Sequence, residues 1–354
     1  MIRRPPRSTL SSSSAASDVY KRQCLSCAVR NLRSIVVTGG AGFVGSALAR
    51  HLLRSEGLER LVLIDRLGST GHRGNLIGPD QDPRFVFIEG DIHEPSLLPR
   101  ILEKHKTTGV FNLAAEIDSG QCPNINVDLA SGNVLGTARV LDQCGAAGIP
   151  LLQCSTSKVY GTVPPPLRSV EINPLKPLTP SSASKAAADL LCLAAAHDRE
   201  QDIVITRCSD NYGPRQHGSN MIPRWVEAAF HNHPLTIEGD GNRIRDWIHV
   251  DDHCRGMIAA FLQGQPGSIY LLGGQCERTD IGIARHILEI LEKPPSLISP
   301  QPGMAENPAR AGRYAVDFSK AVAGLGWRPR ERFRTGFPLV VGEIAGNLRG
   351  ANSD

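Results

Sequence analysis

The stretch Ile35-Val-Val-Thr-Gly-Gly-Ala-Gly-Phe-Val-Gly-Ser46 decides the fold of this chain. A short apolar run typical of a buried strand leads into Gly39, Gly42 and Gly45. The first glycine permits a tight turn, the second lets a ligand approach the backbone, and the third lets the next helix pack closely on the strand. Free N–H groups at the start of that helix favour an anion. The stretch therefore predicts a strand, a turn and a helix that hold the pyrophosphate of a dinucleotide.

A second apolar strand, Leu61 to Ile64, follows the predicted helix Ala47 to Leu53 and ends at Asp65. This acid lies about twenty residues beyond the glycines, where a carboxylate accepts hydrogen bonds from both hydroxyls of an adenosine ribose. It also repels a 2′-phosphate, which favours NAD as the cofactor. Arg66 is next in the chain and could instead hold such a phosphate, so NADP is the alternative.

The formal net charge of +4 comes from the first residues of the chain. Residues 1–23 contain five of the 39 basic residues and one of the 35 acidic ones, which leaves 34 of each in the remainder. A neutral folded part argues against nucleic acid as a partner. No apolar run reaches the roughly 20 residues that span a membrane. We interpret residues 1–23 as a non-native, disordered leader translated from a sequencing adapter, although an organellar transit peptide has a similar composition.

The nine cysteines are scattered along the chain, and no secretory signal precedes them. This usage predicts reduced thiols and a cytoplasmic protein. Cys24 and Cys27 have the spacing of metal ligands, but no second cysteine pair or histidine pair follows at a suitable distance. We therefore predict no metal site.

Short apolar strands alternate with helical patterns from residue 32 to about residue 205. The strands are predicted at Ser34 to Val37, Arg60 to Ile64, Phe85 to Glu89, Gly109 to Leu113, Leu151 to Ser155 and Ile203 to Arg207. This alternation predicts an α/β fold with a Rossmann-type, doubly wound parallel sheet, and a dinucleotide-binding domain over 32–205. Residues 206–350 are richer in Gly and Pro and are predicted to form a smaller substrate lobe. The boundaries interleave, because strands near Leu235 to Ile237, Asp246 to His249 and Ser268 to Leu272 could belong to either part.

Several further motifs occur in a fixed order along the chain. They are GDI at 90–92, NLAAE at 112–116, NVLGT at 133–137, SASKAAAD at 182–189, ITRCSDNYGP at 205–214 and IRDWIHVDDHCR at 244–255. With the glycine-rich stretch, they make the chain resemble the extended short-chain dehydrogenase/reductases from about Arg33 to Gly336. The resemblance is strongest to the dTDP-glucose 4,6-dehydratases and their NAD-dependent nucleotide-sugar epimerase relatives. It implies bound NAD and a nucleotide-diphosphate sugar as the partner.

The resemblance also implies which residues line the cofactor. Matched motif by motif, these are Gly39, Gly42, Phe43, Val44, Gly45, Asp65, Asp91, Ile92, Leu113, Ala115, Lys185 and Asn211. Most of them follow the ends of successive predicted strands, where doubly wound sheets bind their ligands.

The catalytic positions implied by the resemblance are altered in this chain. The family uses a tyrosine and, four residues later, a lysine that lowers the phenol's pKa so that it takes a proton from the sugar 4-hydroxyl. Lys185 is present, but Ser181 occupies the tyrosine position. Thr156 matches the hydroxyl that binds the reacting oxygen. Ser157 and Lys158 replace the Asp-Glu pair that removes water in the dehydratases.

The substrate positions implied by the resemblance combine one match with several departures. Arg245 matches the residue that grips the diphosphate, and a guanidinium suits that role. Asn220 replaces a lysine and Arg310 replaces a histidine, and these three are the candidate substrate-binding residues. The remaining departures are Asp210 and Asp280, each for an asparagine, Glu238 for a tyrosine, and Asn307 for an arginine.

Three interpretations follow for the function. The first is an NAD-dependent nucleotide-sugar dehydratase or epimerase with an altered acid/base set. The second is a catalytically silent relative that binds NAD or a sugar nucleotide as a scaffold or sensor, and the third is a sequence error at codons 157, 158 and 181. The resemblance further implies a homodimer that pairs helices near Ser131 to Ala146 and Ala183 to Arg199 in a four-helix bundle.

Overall fold

The structure is a computed structural model that describes residues 30–68, 70–116, 125–301 and 312–351. The predictions made for residues 1–23, for Cys24 and Cys27, and for Arg310 lie outside these ranges. Six cysteines within them are free thiols. Among the described helices, none has both the length and the apolar character needed to cross a bilayer.

Seven parallel strands form the main sheet, in the order β10, β6, β5, β4, β1, β2 and β3. Their bounds are β1 Ser34–Thr38, β2 Arg60–Asp65, β3 Phe85–Glu89, β4 Gly109–Asn112, β5 Leu151–Thr156, β6 Ile203–Cys208 and β10 Ile269–Leu272. The predicted Rossmann-type sheet is confirmed. The strand near Ser268 to Leu272 belongs to this sheet, since β10 pairs with β6. Because strand order reverses at β1, the cleft between β1 and β4 is where such sheets bind ligands.

Helices cover both faces of the sheet, so successive residues of a strand such as Ile35 and Val36 are both buried. On one face lie α1 (Phe43–Leu53), α7 (Val250–Gln263) and α9 (Ser319–Leu325). On the other lie α2 (Leu97–Lys104), α4 (Gly136–Ala147) and α5 (Pro180–Asp198). Helix α3 (Ile125–Leu129) continues into α4 through one π-helical turn, Ala130–Leu135.

One helix begins earlier than the sequence predicted. Helix α1 begins at Phe43 rather than Ala47, because Gly42 serves as its N-cap and the glycine-rich turn leads directly into the helix. Helix α5 begins at Pro180, because Thr179 and Ser182 form a reciprocal capping box. Thr179 Oγ1 accepts from Ser182 N at 3.2 Å, and Ser182 Oγ accepts from Thr179 N at 3.0 Å.

The C-terminal part of the chain contributes two small sheets and a separate apolar core. One sheet contains β7 (Asp210–Tyr212), β9 (Ile244–His249), β11 (Glu277–Thr279) and β13 (Arg313–Tyr314), and the other pairs β8 (Leu235–Glu238) with β12 (Ile298–Gln301). Helices α6 (Met221–Phe230), α8 (Asp280–Ile290) and α10 (Phe333–Ala351) pack around them. The strands near 235–237 and 246–249 therefore lie in the smaller sheets.

Candidate functional site

The glycine-rich turn between β1 and α1 has the backbone that its sequence predicts. Gly39 has a φ of +68°, and a Cβ added to it would lie 2.8 Å from Ala114 N. A Cβ on Gly45 would lie 2.2 Å from Gly39 O, so this glycine is required for the close packing of α1 on the turn. A Cβ on Gly42 would meet Gly39 O at 3.3 Å and otherwise, among the described residues, open space. The turn therefore leaves room for a ligand above Gly42.

Asp65 lies at the end of β2 and ties the loop that follows to the glycine-rich turn. Its Oδ2 accepts from Ala41 N at 2.9 Å, and its Oδ1 accepts from Leu67 N at 2.8 Å. Each carboxylate oxygen can accept a further hydrogen bond. The acid is therefore held in place with acceptor capacity left for a ribose hydroxyl.

A chain of charged groups borders the same cleft. Asp91 Oδ1 accepts from His93 N at 2.9 Å and lies 2.7 Å from His93 Nδ1, while Arg66 Nη1 lies 3.4 Å from Asp91 Oδ2. Arg66 also pairs with Glu116. Burial would raise the pKa of Asp91, but the hydrogen bonds from His93 and the charge of Arg66 lower it. Because Arg66 already faces two carboxylates, the cleft favours a cofactor without a 2′-phosphate.

Most of the predicted cofactor residues line this cleft. They are Gly39, Gly42, Asp65, Asp91, Ile92, Leu113 and Ala115. Phe43, Val44 and Gly45 form the start of α1, whereas Lys185 lies on α5 and Asn211 on β7. His93, Glu116 and the loop residues Gly68, Thr70 and Gly71 also line the cleft, although none of them is among the predicted cofactor residues. Glu116 closes the NLAAE motif, and its position after the end of β4 marks it in the sequence.

These features fit a dinucleotide. The start of α1 offers backbone N–H groups to a pyrophosphate over a glycine without a side chain, and an acid terminates the second strand. Among the described residues, no group of three or more His, Cys, Asp or Glu side chains is placed to hold a metal ion.

Thr156 and Lys185 lie on neighbouring elements, β5 and α5. Lys185 Nζ donates to Cys154 O at 3.1 Å, which holds the lysine against β5. Thr156 Oγ1 accepts from Lys158 N at 3.3 Å and caps the short turn that follows the strand. The ammonium keeps two N–H groups and the threonine keeps its hydroxyl proton for a ligand.

Ser181 is the second residue of α5 and lies one helical turn before Lys185, on the same face of the helix. Its side chain is half-buried. The same position is that of an ordinary helix N-terminal residue after Pro180, which needs no part in proton transfer. A serine hydroxyl there is shorter and far less acidic than a phenol.

Lys158 is held in an ion pair rather than free beside Thr156. Its Nζ lies 2.7 Å from Asp210 Oδ1, and Arg245 Nη1 lies 3.7 Å from the same oxygen. Burial would raise the pKa of Asp210, but Lys158 and then Arg245 lower it. Ser157 beside it is buried. Neither member of the Ser157 and Lys158 pair is therefore placed as a general base.

Arg245 is held by acids on β7 and α8. Its Nε donates to Asp280 Oδ1 at 2.9 Å, and Arg243 Nη2 lies 2.7 Å from Asp280 Oδ2. Burial would lower the pKa of Arg245, but Asp210 and Asp280 raise it. Asn220 does not join this cluster, since its Nδ2 donates to His217 O at 3.2 Å at the start of α6.

The carboxamide of Asn211 is engaged by protein groups. Its Oδ1 lies 3.0 Å from His253 Nδ1, and its Nδ2 donates to Cys208 Sγ and Ser209 O at 3.3 Å. Since Oδ1 is an acceptor, the imidazole nitrogen is the donor. The role of Asn211 in lining NAD stays a prediction.

A buried ion pair supports the elements that position Thr156 and Lys185. Arg207 Nε donates to Asp189 Oδ2 at 2.8 Å, and Ser155 Oγ donates to the same oxygen at 2.8 Å. Arg207 and Asp189 are both almost completely buried, at 1% and 0% exposed. The pair joins β5, β6 and α5 directly behind the candidate catalytic residues.

The parallel sheet and its glycine-lined cleft define a dinucleotide-binding α/β protein. The chain belongs to the NAD dependent epimerase/dehydratase family, whose model matches residues 35–273. It is 37% identical over 313 residues to the dTDP-glucose 4,6-dehydratase of an Actinoplanes species, covering 87% of this chain and 96% of that relative.

Two solved structures have the same architecture. The dTDP-glucose 4,6-dehydratase DesIV from Streptomyces venezuelae, with NAD bound, is 34% identical with a TM-score of 0.84, covering 90% of this chain and 98% of that one. The UDP-glucuronic acid 4-epimerase from Bacillus cereus, in complex with UDP-glucuronic acid and NAD, is 27% identical with a TM-score of 0.81, covering 89% and 99%. The predicted family, fold class and NAD cofactor are confirmed.

Proposed function

We propose that this chain is an NAD-dependent nucleotide-sugar dehydratase/epimerase-like protein with an altered acid/base set. NAD binds in the cleft between β1 and β4, and a nucleotide-diphosphate sugar binds in the smaller lobe. The observation that carries the proposal is that Lys185 on α5 is held against β5, whose last residue is Thr156, in a chain whose glycine-lined cleft fits a dinucleotide.

The retained residues support oxidation at C4 of a sugar. When bound, NAD supplies the hydride acceptor for that step. Lys185, anchored by Cys154 O, directs its remaining N–H groups toward a ribose hydroxyl. The hydroxyl of Thr156 donates to the sugar oxygen and orients it. In this proposal these two residues bind and position the reactants. The hydride at C4 passes to NAD, and the proton of the 4-hydroxyl is lost to solvent water because neither residue accepts it.

The altered residues limit the rate. The Ser181 hydroxyl is a much weaker acid than a phenol and supplies no base near neutral pH. Losing one positioned proton-transfer group costs about 10²- to 10⁴-fold in rate. Lys158 is paired with Asp210, so removal of water across C5 and C6 loses its acid/base pair as well. The residues therefore support slow oxidation at C4 and do not support 4,6-dehydration.

The second candidate is a catalytically silent protein that binds NAD or a sugar nucleotide as a scaffold or sensor. The ion pair between Lys158 and Asp210 favours it over a sequence error. Both residues depart from the pattern of the resembling family, and their opposite charges pair between the turn after β5 and the strand β7. Independent sequence errors would not be expected to produce a pair of opposite charges in contact.

The test is to incubate the purified protein with NAD and a panel of dTDP-, UDP-, GDP- and CDP-hexoses, and to analyse products by mass spectrometry. We expect a 4-keto sugar without loss of water, formed slowly. Ser181→Tyr is expected to raise that rate by at least about tenfold, while Ser182→Ala controls for disturbance of the helix start. Measured NAD binding with no product in either the native protein or Ser181→Tyr would reject the enzyme and support the silent relative.

We also propose a cytoplasmic homodimer. The helices predicted to pair, near Ser131 to Ala146 and Ala183 to Arg199, carry exposed apolar side chains at Leu135 and Leu190, and Val127 on α3 is exposed as well. Exposed apolar patches of this kind mark interfaces. Light scattering is expected to give a dimer mass for the native protein and a monomer mass for Leu190→Glu, and a monomeric native protein would contradict the proposal.

A further inference from the structure

Six ionisable side chains meet between the end of β5 and the smaller lobe, and we call them the charge cluster. They are Lys158, Arg243, Arg245, Asp210, Glu238 and Asp280. Three are cations and three are anions, so among the described residues the cluster is neutral. It includes Arg245, the proposed diphosphate ligand.

Asp280 is the centre of the cluster. Its Oδ2 accepts from Arg243 Nε at 2.8 Å and its Oδ1 accepts from Arg245 Nε at 2.9 Å. Only 2% of the Asp280 side chain is exposed, against 13% for each arginine. Asp210 adds a second negative charge at another nitrogen of Arg245, with its Oδ1 3.7 Å from Nη1.

A diphosphate that approaches Arg245 meets these two carboxylates as competitors. To donate its Nε hydrogen bond to a phosphate, Arg245 must release the buried Asp280. A buried carboxylate that loses an ion-pair partner costs free energy. The carboxylates also repel the phosphates directly. Both acids stand where the resembling family has asparagine, which would offer Arg245 a neutral neighbour.

We propose that Asp280 and Asp210 are specificity-determining residues that weaken the binding of a nucleotide diphosphate by holding Arg245. The inference rests on the proposed function, because it assigns the diphosphate to Arg245. It concerns affinity alone and does not depend on whether the sugar is turned over.

The test compares the NAD-saturated native protein with Asp280→Asn and Asp210→Asn by calorimetry. The probes are dTDP and UDP, with thymidine and uridine as uncharged counterparts. Asp142→Asn is the matched control, because it removes an acid that is 70% exposed on α4. Two variants are needed because Asp280 also begins α8, and Asp210→Asn tests the same idea if Asp280→Asn is unstable.

At least about tenfold tighter binding of dTDP or UDP is expected in Asp280→Asn, with the nucleosides unchanged. The gain should shrink at high salt, where charge effects are screened. A purely structural role of Asp280 would change nucleoside and diphosphate affinities together. Equal or weaker diphosphate binding in both variants would overturn the inference and leave the nucleotide site intact. If NAD binds while no variant binds either diphosphate, the proposed nucleotide site itself is wrong.

Discussion

Replacement of Arg207 by leucine is expected to destabilise the chain strongly. Asp189 stays fully buried after this change. Its Oδ2 still accepts from Ser155 Oγ, whereas its Oδ1 has no hydrogen-bond partner among the described residues. The change also removes the guanidinium that donates to Tyr160 OH at 2.6 Å and lies 4.9 Å from the centre of that ring. The variant therefore leaves one buried charge without its counter-ion.

The magnitude follows from these contacts. Breaking a buried ion pair by removing one partner costs about 3–5 kcal/mol. The lost contact with the Tyr160 ring adds about 0.5–1 kcal/mol. We expect a loss of about 4 kcal/mol in the free energy of unfolding, which is a large share of the roughly 5–15 kcal/mol typical of a folded protein.

The double variant Asp189→Leu with Arg207→Leu tests the reasoning. With no charge left, the remaining cost is the unpaired Ser155 hydroxyl and the altered packing, about 1–3 kcal/mol. The double variant should therefore be more stable than Arg207→Leu alone.

Urea unfolding followed by circular dichroism measures both values. Arg199→Leu is the control, because its pair with Asp142 is exposed and is worth less than about 1 kcal/mol. A single variant that unfolds with the native midpoint, or a double variant less stable than Arg207→Leu, would refute the account of the buried pair.

Three further predictions concern pH, the turn and the cofactor. Complete burial lowers the pKa of His253 to about 3, so between about pH 6.5 and 3 the unfolded chain binds a proton that the folded chain does not. The free energy of unfolding should fall with decreasing pH by up to about 1.4 kcal/mol per pH unit. His253→Asn should reduce this pH dependence. Burial raises the pKa of Asp246 to about 6, so this group makes stability rise as the pH falls. Its contribution is the same in both proteins, so the decisive measurement is the difference in urea midpoint between native and His253→Asn. Gly45→Ala places a Cβ 2.2 Å from Gly39 O and should weaken NAD binding by at least about tenfold in calorimetry, and native affinity would contradict the assigned turn. Asp65→Asn removes the charge that repels a 2′-phosphate, so the ratio of NADP to NAD affinity should rise; an unchanged ratio would argue against its ribose role.

The sequence predicted six of the seven strands of the main sheet because short, mainly apolar runs alternate there with helical patterns. It placed the start of α1 too late, since Phe43 and Val44 were assigned to the turn although Gly42 is the N-cap. Capping depends on the backbone angles of single residues, and apolar periodicity does not report those angles. The strand β10 was left unassigned because its partner β6 precedes it by a long connection that no local pattern marks.

The cofactor cleft was more predictable than the substrate side. Residues that follow strand ends are fixed by the sheet, so Asp65, Asp91 and Ala115 lie where strand counting puts them. The pairing of Lys158 with Asp210 depends on the distance between β5 and β7, which sequence spacing does not give. His93 contacts Asp91 in the cleft but lies in a loop, where tertiary contacts set the direction of a side chain and strand counting does not report it.

The capping box at the start of α5 has a consequence for how this site changes over time. Thr179 and Ser182 secure the first turn through each other's backbone, and the side chain of Ser181 between them takes no part. Exchange of the residue at 181 therefore leaves the helix frame, and with it Lys185, in place. The residue at position 181 therefore does not contribute to folding. Single substitutions there can remove or restore a reactive group without a cost in stability.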